Sequence, residues 1–195
     1  MLDFSNSKIL IVGDVMLDKY YFGKVDRISP EAPVPIVNIQ KEESRLGGAS
    51  NVANNIVSLG GHSLLCGVIG HDLFGKEIER ISRHKNIDTF LLKTSSPTIT
   101  KARIIGGKQQ IVRVDYEDKS ELNADNKKLF RDTISRILPE YDILVISDYG
   151  KGLISEDLCR YLIKLAHKYD KKVIIDPKGK NWEKYSGADI VTPNV

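Results

Sequence analysis

The chain has 195 residues, 41% of them apolar and 28% charged, with 29 basic residues set against 26 acidic ones for a formal charge of +3. That length suits one substantial domain with a real core. The charge is spread without the basic stripe that nucleic acid demands, and no apolar run reaches membrane-spanning length, so neither kind of partner is expected.

In chain order, Lys8–Gly13 reads as a strand, entered from charged Asp3 with no apolar leader, so a cytoplasmic protein is expected. Residues 19–40 hold Tyr20-Tyr21-Phe22 and the alternating Val34, Ile36 and Val37, broken by prolines. The spacing of Val52, Ile56 and Leu59 predicts a helix closed by Gly60-Gly61. A strand over 64–69 follows, then a helix marked by Phe74, Ile78 and Ile81. Residues 98–115 contain two more strand-like runs hinged at Gly106-Gly107. Leu129, Thr133 and Ile137 mark a third helix, stopped by Pro139. A strand over 142–147 leads to a fourth helix through Leu158, Leu162 and Leu165. Ser155 is its N-cap, with Glu156 and Asp157 in its first turn. Strands over Lys172–Asp176 and 189–192 complete the series. Alternation of this kind predicts an α/β fold with a mostly parallel sheet between helices. Segments 19–40 and 98–115 stand outside it and predict a small antiparallel sheet, either a pair of ordinary surface hairpins or a lid over the strand ends.

Five short motifs fall at strand ends, the edge where a parallel sheet collects its ligand. Gly13-Asp14-Val15-Met16-Leu17-Asp18 places two carboxylates there, although Gly-Asp is also ordinary turn chemistry. Leu46-Gly47-Gly48-Ala49-Ser50-Asn51 opens a helix whose first amides can meet a ligand, or is simply a glycine-rich cap with Ser50 or Asn51 capping. Asp148-Tyr149-Gly150-Lys151 and Asp176-Pro177-Lys178 each pair an acid with a lysine, and Thr192-Pro193-Asn194 lies just before the last residue, Val195; each alone also reads as a solvated turn. Lys101, Arg103 and Arg113 lie on lid strands, where they either solvate an edge or close over a phosphate. Cys66 and Cys159 read as core residues, and the four scattered histidines suggest no metal site. Gly13 lacks the further glycines of a dinucleotide fingerprint, which argues against a nicotinamide oxidoreductase.

Arg45-Leu46-Gly47-Gly48-Ala49-Ser50-Asn51-Val52-Ala53 resembles the N-terminal signature of the PfkB/ribokinase carbohydrate kinases. Gly13–Asp18 taken with Arg27-Ile28-Ser29-Pro30-Glu31-Ala32-Pro33-Val34-Pro35 is similar to a narrower group, the heptose 7-phosphate kinases found fused to ADP-heptose synthase. The resemblance covers essentially residues 1–195 as one N-terminal portion of a kinase domain. It implies a ribokinase-like three-layer α/β/α fold with a projecting β lid, whose proline-broken strands and exposed apolar side chains themselves suggest a homodimer through it. It implies ATP and Mg²⁺ as cofactors and phosphorylation of D-glycero-D-manno-heptose 7-phosphate at its anomeric hydroxyl, giving the 1,7-bisphosphate for lipopolysaccharide precursor synthesis. Asp18, Gly47, Gly48 and Asn51 would hold the sugar, with Asp148 at its far side. Arg103, Arg113 and Lys151 would serve the sugar phosphate or lid closure, and Asn194, Asp176 and Lys178 the nucleotide side.

The departure from the family pattern is at Val195. The glutamate expected soon after Asn194 and the Gly-Ala-Gly-Asp motif with its general-base aspartate are not in the sequence, so no catalytic residue is assigned. The expectation is a sugar-binding part of an incomplete kinase, with uncovered apolar faces that favour self-association. The alternatives are another PfkB sugar kinase, or a non-catalytic sugar-phosphate-binding or dimerisation module.

Overall fold

The computed structural model describes residues 3–118, 120–179 and 182–193. β1 (Lys8–Gly13) runs almost directly into β2 (Val15–Ile28), which turns back as β3 (Pro35–Gly48). The prolines at 30, 33 and 35 are confined to the turn and the first residue of β3, places where a missing N–H costs no ladder bond. The hairpin is therefore longer than 19–40 and carries Asp18, Gly47 and Gly48 within its strands.

α1 (Ala49–Ser58), β4 (His62–Gly70) and α2 (Leu73–His84) follow. Asp72 caps α2 by accepting the Gly75 N–H, and Asn86 at φ 57° ends the segment beyond it. β5 (Asp88–Thr94) leads to the hairpin of β6 (Thr100–Gly106) and β7 (Gln109–Tyr116). α3 (Ala124–Ile137) is capped by Asn123, and Pro139 lies in a 3₁₀ turn directly after it. After β8 (Ile143–Ser147), α4 (Glu156–Lys168) opens with Ser155 Oγ accepting the Leu158 N–H. β9 (Lys172–Asp176) and the two-residue β10 (Ile190–Val191) come last.

Sheet order is β10-β9-β8-β1-β4-β5, with every neighbouring pair parallel. β1 alternates between two cores. Ile9 and Ile11 meet Ala53 of α1 and Ile78 of α2, while Leu10 and Val12 meet Phe130 of α3 and Leu162 of α4. Each fully buried side chain of this size contributes about 1.5–3 kcal/mol. This is the three-layer arrangement expected. Cys66 and Cys159 are free and fully buried, and burial pushes the Cys159 thiol up to about 11.

Two expectations need correction. β5 joins the sheet edge although no strand was expected there. The second sheet, ordered β3-β2-β6-β7, is mixed rather than antiparallel, because β2 and β6 run parallel from Leu17↔Thr100 to Gly23↔Gly106. Each hairpin is antiparallel by itself, but the two join at a parallel seam.

Candidate functional site

Only Asp14 separates β1 from β2, and its carboxylate is 2% exposed. Oδ2 accepts the N–H of Tyr149 at 2.8 Å and of Lys151 at 3.0 Å, and Oδ1 accepts that of Leu153 at 3.4 Å. Burial pushes this carboxyl above the usual carboxylate range, while the N–H bonds pull the other way. Asp14 thus faces inward and fixes the loop after β8 across the end of β1, rather than offering itself to a ligand.

Beside that loop, the base of the second sheet and the start of α1 enclose an open cleft of about 720 Å³. Strand alternation puts Met16, Asp18 and Tyr20 of β2 on its wall, with Lys101 and Arg103 of β6 beside them. Gly47, Gly48 and Asn51 form the opposite side. The two glycines are required by close approach. A Cβ on Gly47 would lie 2.5 Å from Asp18 Oδ2, and one on Gly48 2.4 Å from the Asp14 carbonyl oxygen. Gly48 also has φ +55°, a conformation other residues rarely adopt. Gly48 is the N-cap, and no side-chain hydrogen bond caps α1. Ser50, a candidate cap, instead donates its buried hydroxyl to the Gly47 carbonyl at 2.6 Å.

The cleft is cationic. Arg45, Lys85, Lys101 and Arg103 line it against two carboxylates, Asp18 and Glu43. Arg103 Nη1 donates to Asp18 Oδ1 at 2.6 Å, and Arg45 Nη2 donates to Glu43 at 2.7 Å. The Tyr20 ring is flanked from the neighbouring strands by both guanidiniums, Arg45 at 4.8 Å and Arg103 at 5.2 Å from its centroid. Lys101 stands 5.9 Å from the Tyr149 ring. Tyr20, Arg45, Lys85 and Tyr149 were not among the expected site residues. The available signal was the i, i+2 spacing of Asp18 with Tyr20 and of Lys101 with Arg103, which puts each pair on one strand face.

The remaining candidates lie elsewhere. Asp148 is 2% exposed and turned toward β9, with its oxygens taken by the Tyr185 hydroxyl at 2.7 Å, the Gly150 N–H at 2.7 Å and the Lys184 ammonium. It does not line the cleft. Burial and then Asp148 hold the Asp176 carboxyl above its usual range at the end of β9. Lys178 is exposed, and its backbone N–H donates to the Tyr185 hydroxyl at 3.0 Å. Lys151 pairs with Glu117 and lines a separate hollow of about 300 Å³ with Asp118 and Asn126. Arg113 is paired with Asp115 at 2.8 Å on β7, opposite Arg103 in register. Asn194 lies outside the described residues. Among the described residues no three His, Cys, Asp or Glu side chains come together as metal ligands.

The model of the pfkB family carbohydrate kinases matches residues 6–195. The chain belongs to that family. The bifunctional protein HldE of Helicobacter pylori strain P12 is 48% identical over 189 residues, which are 96% of this chain and 41% of HldE. The D-beta-D-heptose 7-phosphate kinase of Bordetella bronchiseptica is 45% identical over 191 residues, 97% of this chain and 60% of that protein. This family member therefore spans about two fifths to three fifths of the length of these relatives. Among solved structures, the tetrameric inhibited form of phosphofructokinase-2 from Escherichia coli superposes with a TM-score of 0.73 at 19% identity, covering 96% of this chain and 61% of that one. The microbiome-derived acarbose kinase Mak1 gives 0.69 at 18% identity, covering 96% and 61%. The family fold is thus shared across kinases of different named substrates.

Proposed function

We propose that the cleft binds a heptose 7-phosphate, as the sugar side of a kinase that transfers the ATP γ-phosphoryl group to the anomeric hydroxyl. The product would be the 1,7-bisphosphate, a precursor of ADP-heptose for lipopolysaccharide. The observation that carries this reading is the cleft's surplus of cations, four against two carboxylates, set beside a glycine pair and Asn51. Such a wall suits a ligand that joins a hydroxyl-rich body to a dianion. The name of the Bordetella relative supports the heptose.

On this reading Asp18, Gly47, Gly48 and Asn51 take the sugar, and Arg103 with Arg45, Lys85 and Lys101 takes its phosphate. Arg113 and Lys151, held by Asp115 and Glu117, stand back from the ligand. Asp176 and Lys178, with Asn194, serve the ATP side together with Mg²⁺. Catalysis in such a transfer comes mainly from positioning and charge neutralisation, which is what a rigid, cationic cleft supplies. The lid would also pair two copies of the chain through its exposed apolar face.

Thermal melts of the chain with heptose 7-phosphate, fructose 6-phosphate, ribose and inorganic phosphate test the reading. A ligand at a hundred times its dissociation constant adds about 2.7 kcal/mol, a shift easily seen. Stabilisation by heptose 7-phosphate beyond that by the other three is expected. Equal shifts with phosphate alone, or none with any sugar, would overturn it.

A further inference from the structure

Arg103 is engaged twice in the cleft. Its Nη1 donates to Asp18 Oδ1 at 2.6 Å while its guanidinium lies against Tyr20. The pair is not a loose surface contact, since the two side chains are only 22% and 21% exposed. Asp18 Oδ2 is at the same time backed by Gly47, where even a methyl group would approach within 2.5 Å. The carboxylate that faces the cleft is therefore held by a cation on Oδ1, while the missing Cβ of Gly47 leaves room beside Oδ2.

A neutral sugar that takes Asp18 Oδ1 for its hydroxyls must displace the guanidinium from it and leave Arg103 without its counter-charge. A phosphate dianion changes the balance. It offers Arg103 an acceptor of the same kind as Asp18, and it can engage Arg45 as well. Those two guanidiniums already converge on one ring and are each neutralised by a carboxylate, Asp18 for Arg103 and Glu43 for Arg45. One dianion can take the place of both carboxylates.

We propose that the Asp18–Arg103 ion pair is a latch opened by the ligand's own phosphate, which draws Arg103 onto itself beside Tyr20 and Arg45 and so frees Asp18 to accept sugar hydroxyls. This rests on the reading of the cleft as a sugar-phosphate site and goes beyond it. The phosphate does not merely add affinity; it makes the sugar subsite competent. Sugar binding and phosphate binding are then positively coupled even when the two groups are on separate molecules.

The experiment is calorimetric titration of the chain with unphosphorylated heptose, in chloride and then in saturating inorganic phosphate, with heptose 7-phosphate titrated in parallel. The latch requires heptose affinity to rise roughly tenfold in phosphate, the scale of one charge-assisted bond. In Arg103→Met, heptose should bind equally well with and without phosphate, and more tightly than it binds the parent chain in chloride. Should that variant fail to fold, Asp18→Asn supplies the control, because the coupling must vanish there too. If heptose 7-phosphate binds the parent chain but phosphate leaves heptose affinity unchanged or lowers it, the latch is wrong and the sugar-phosphate reading stands. If heptose 7-phosphate does not bind at all, both fall.

Discussion

Asp14 shows how much of a site can depend on a residue that never faces the ligand. Its carboxylate gathers three backbone N–H groups of the loop that carries Tyr149, and it does so 2% exposed. Asp14→Ala would strand those donors in a buried place, at a cost of about 3 kcal/mol of stability by urea denaturation. Asp14→Asn keeps an acceptor oxygen and should lose less. Both variants should also weaken sugar-phosphate binding, because Tyr149 lines the cleft through this loop. A null effect on both readouts would refute the role. In the sequence Asp14 and Asp18 looked alike, two carboxylates after a strand. Only the backbone path separates them, sending Asp14 toward the loop after β8 and Asp18 onto the cleft face of β2. Asp148 is the same lesson reversed. Its glycine-bracketed loop suggested a ligand contact, but Tyr185 and Lys184, far along the chain, claim its oxygens.

At the scale of elements, α4, β9 and β10 are tied by one carboxylate. Asp189 accepts from Lys172 Nζ at 2.8 Å and the Val173 N–H at 2.9 Å, and meets His167 Nε2 at 3.2 Å. The Lys172 ammonium first, then the Val173 N–H and His167, hold this carboxyl well below the usual carboxylate range. Its contribution is present at neutral pH and is lost as pH falls from about 4, where the unfolded chain takes up the proton before the folded one. Asp14 has the opposite sign, its raised carboxyl favouring the fold as pH falls. Asp189→Asn should therefore lower the melting temperature at pH 7 and flatten its decline between pH 5 and 2. A parallel downward shift at every pH would contradict this. The helices were legible because their signals are local. Ser155, with Glu156 and Asp157 behind it, announces α4 without reference to anything else. β5 was not legible, since Asp88–Thr94 is a short edge strand whose residues carry no clear alternation.

For the whole molecule, the parallel seam between β2 and β6 was beyond the reach of local patterning, because nothing near residues 17–23 names 100–106 as their partner. The cleft inherits that limit. Arg45, Tyr20 and Arg103 come from three strands, and they meet only once the register is set. On the sheet face opposite Asp18 and Tyr20, Val25, Ile39, Val112 and Val114 are each 39–44% exposed. Exposed apolar side chains grouped this way are what the proposed pairing of two copies through the lid would cover. Sedimentation of the chain should show a reversible dimer, and the pair of substitutions Ile39→Glu and Val112→Glu should give a monomer. A parent chain that stays monomeric at high concentration would dismiss the lid as the pairing surface.

The same seam bears on how the protein is made. β2 leaves the ribosome before its partner β6, which lies beyond all of β3, α1, β4, α2 and β5. At synthesis rates of ~5–20 residues per second, one edge of β2 stands open for on the order of ten seconds. That edge carries Tyr20, Tyr21 and Phe22, the kind of apolar run that recruits other nascent chains. Asp18 and Lys19 precede the run and Lys24, Asp26 and Arg27 follow it, so charge brackets it on both sides. Charges placed on either side of an apolar strand disfavour its pairing with other chains. Asp18 thus stands at the head of a bracketed apolar run as well as on the wall of the cleft.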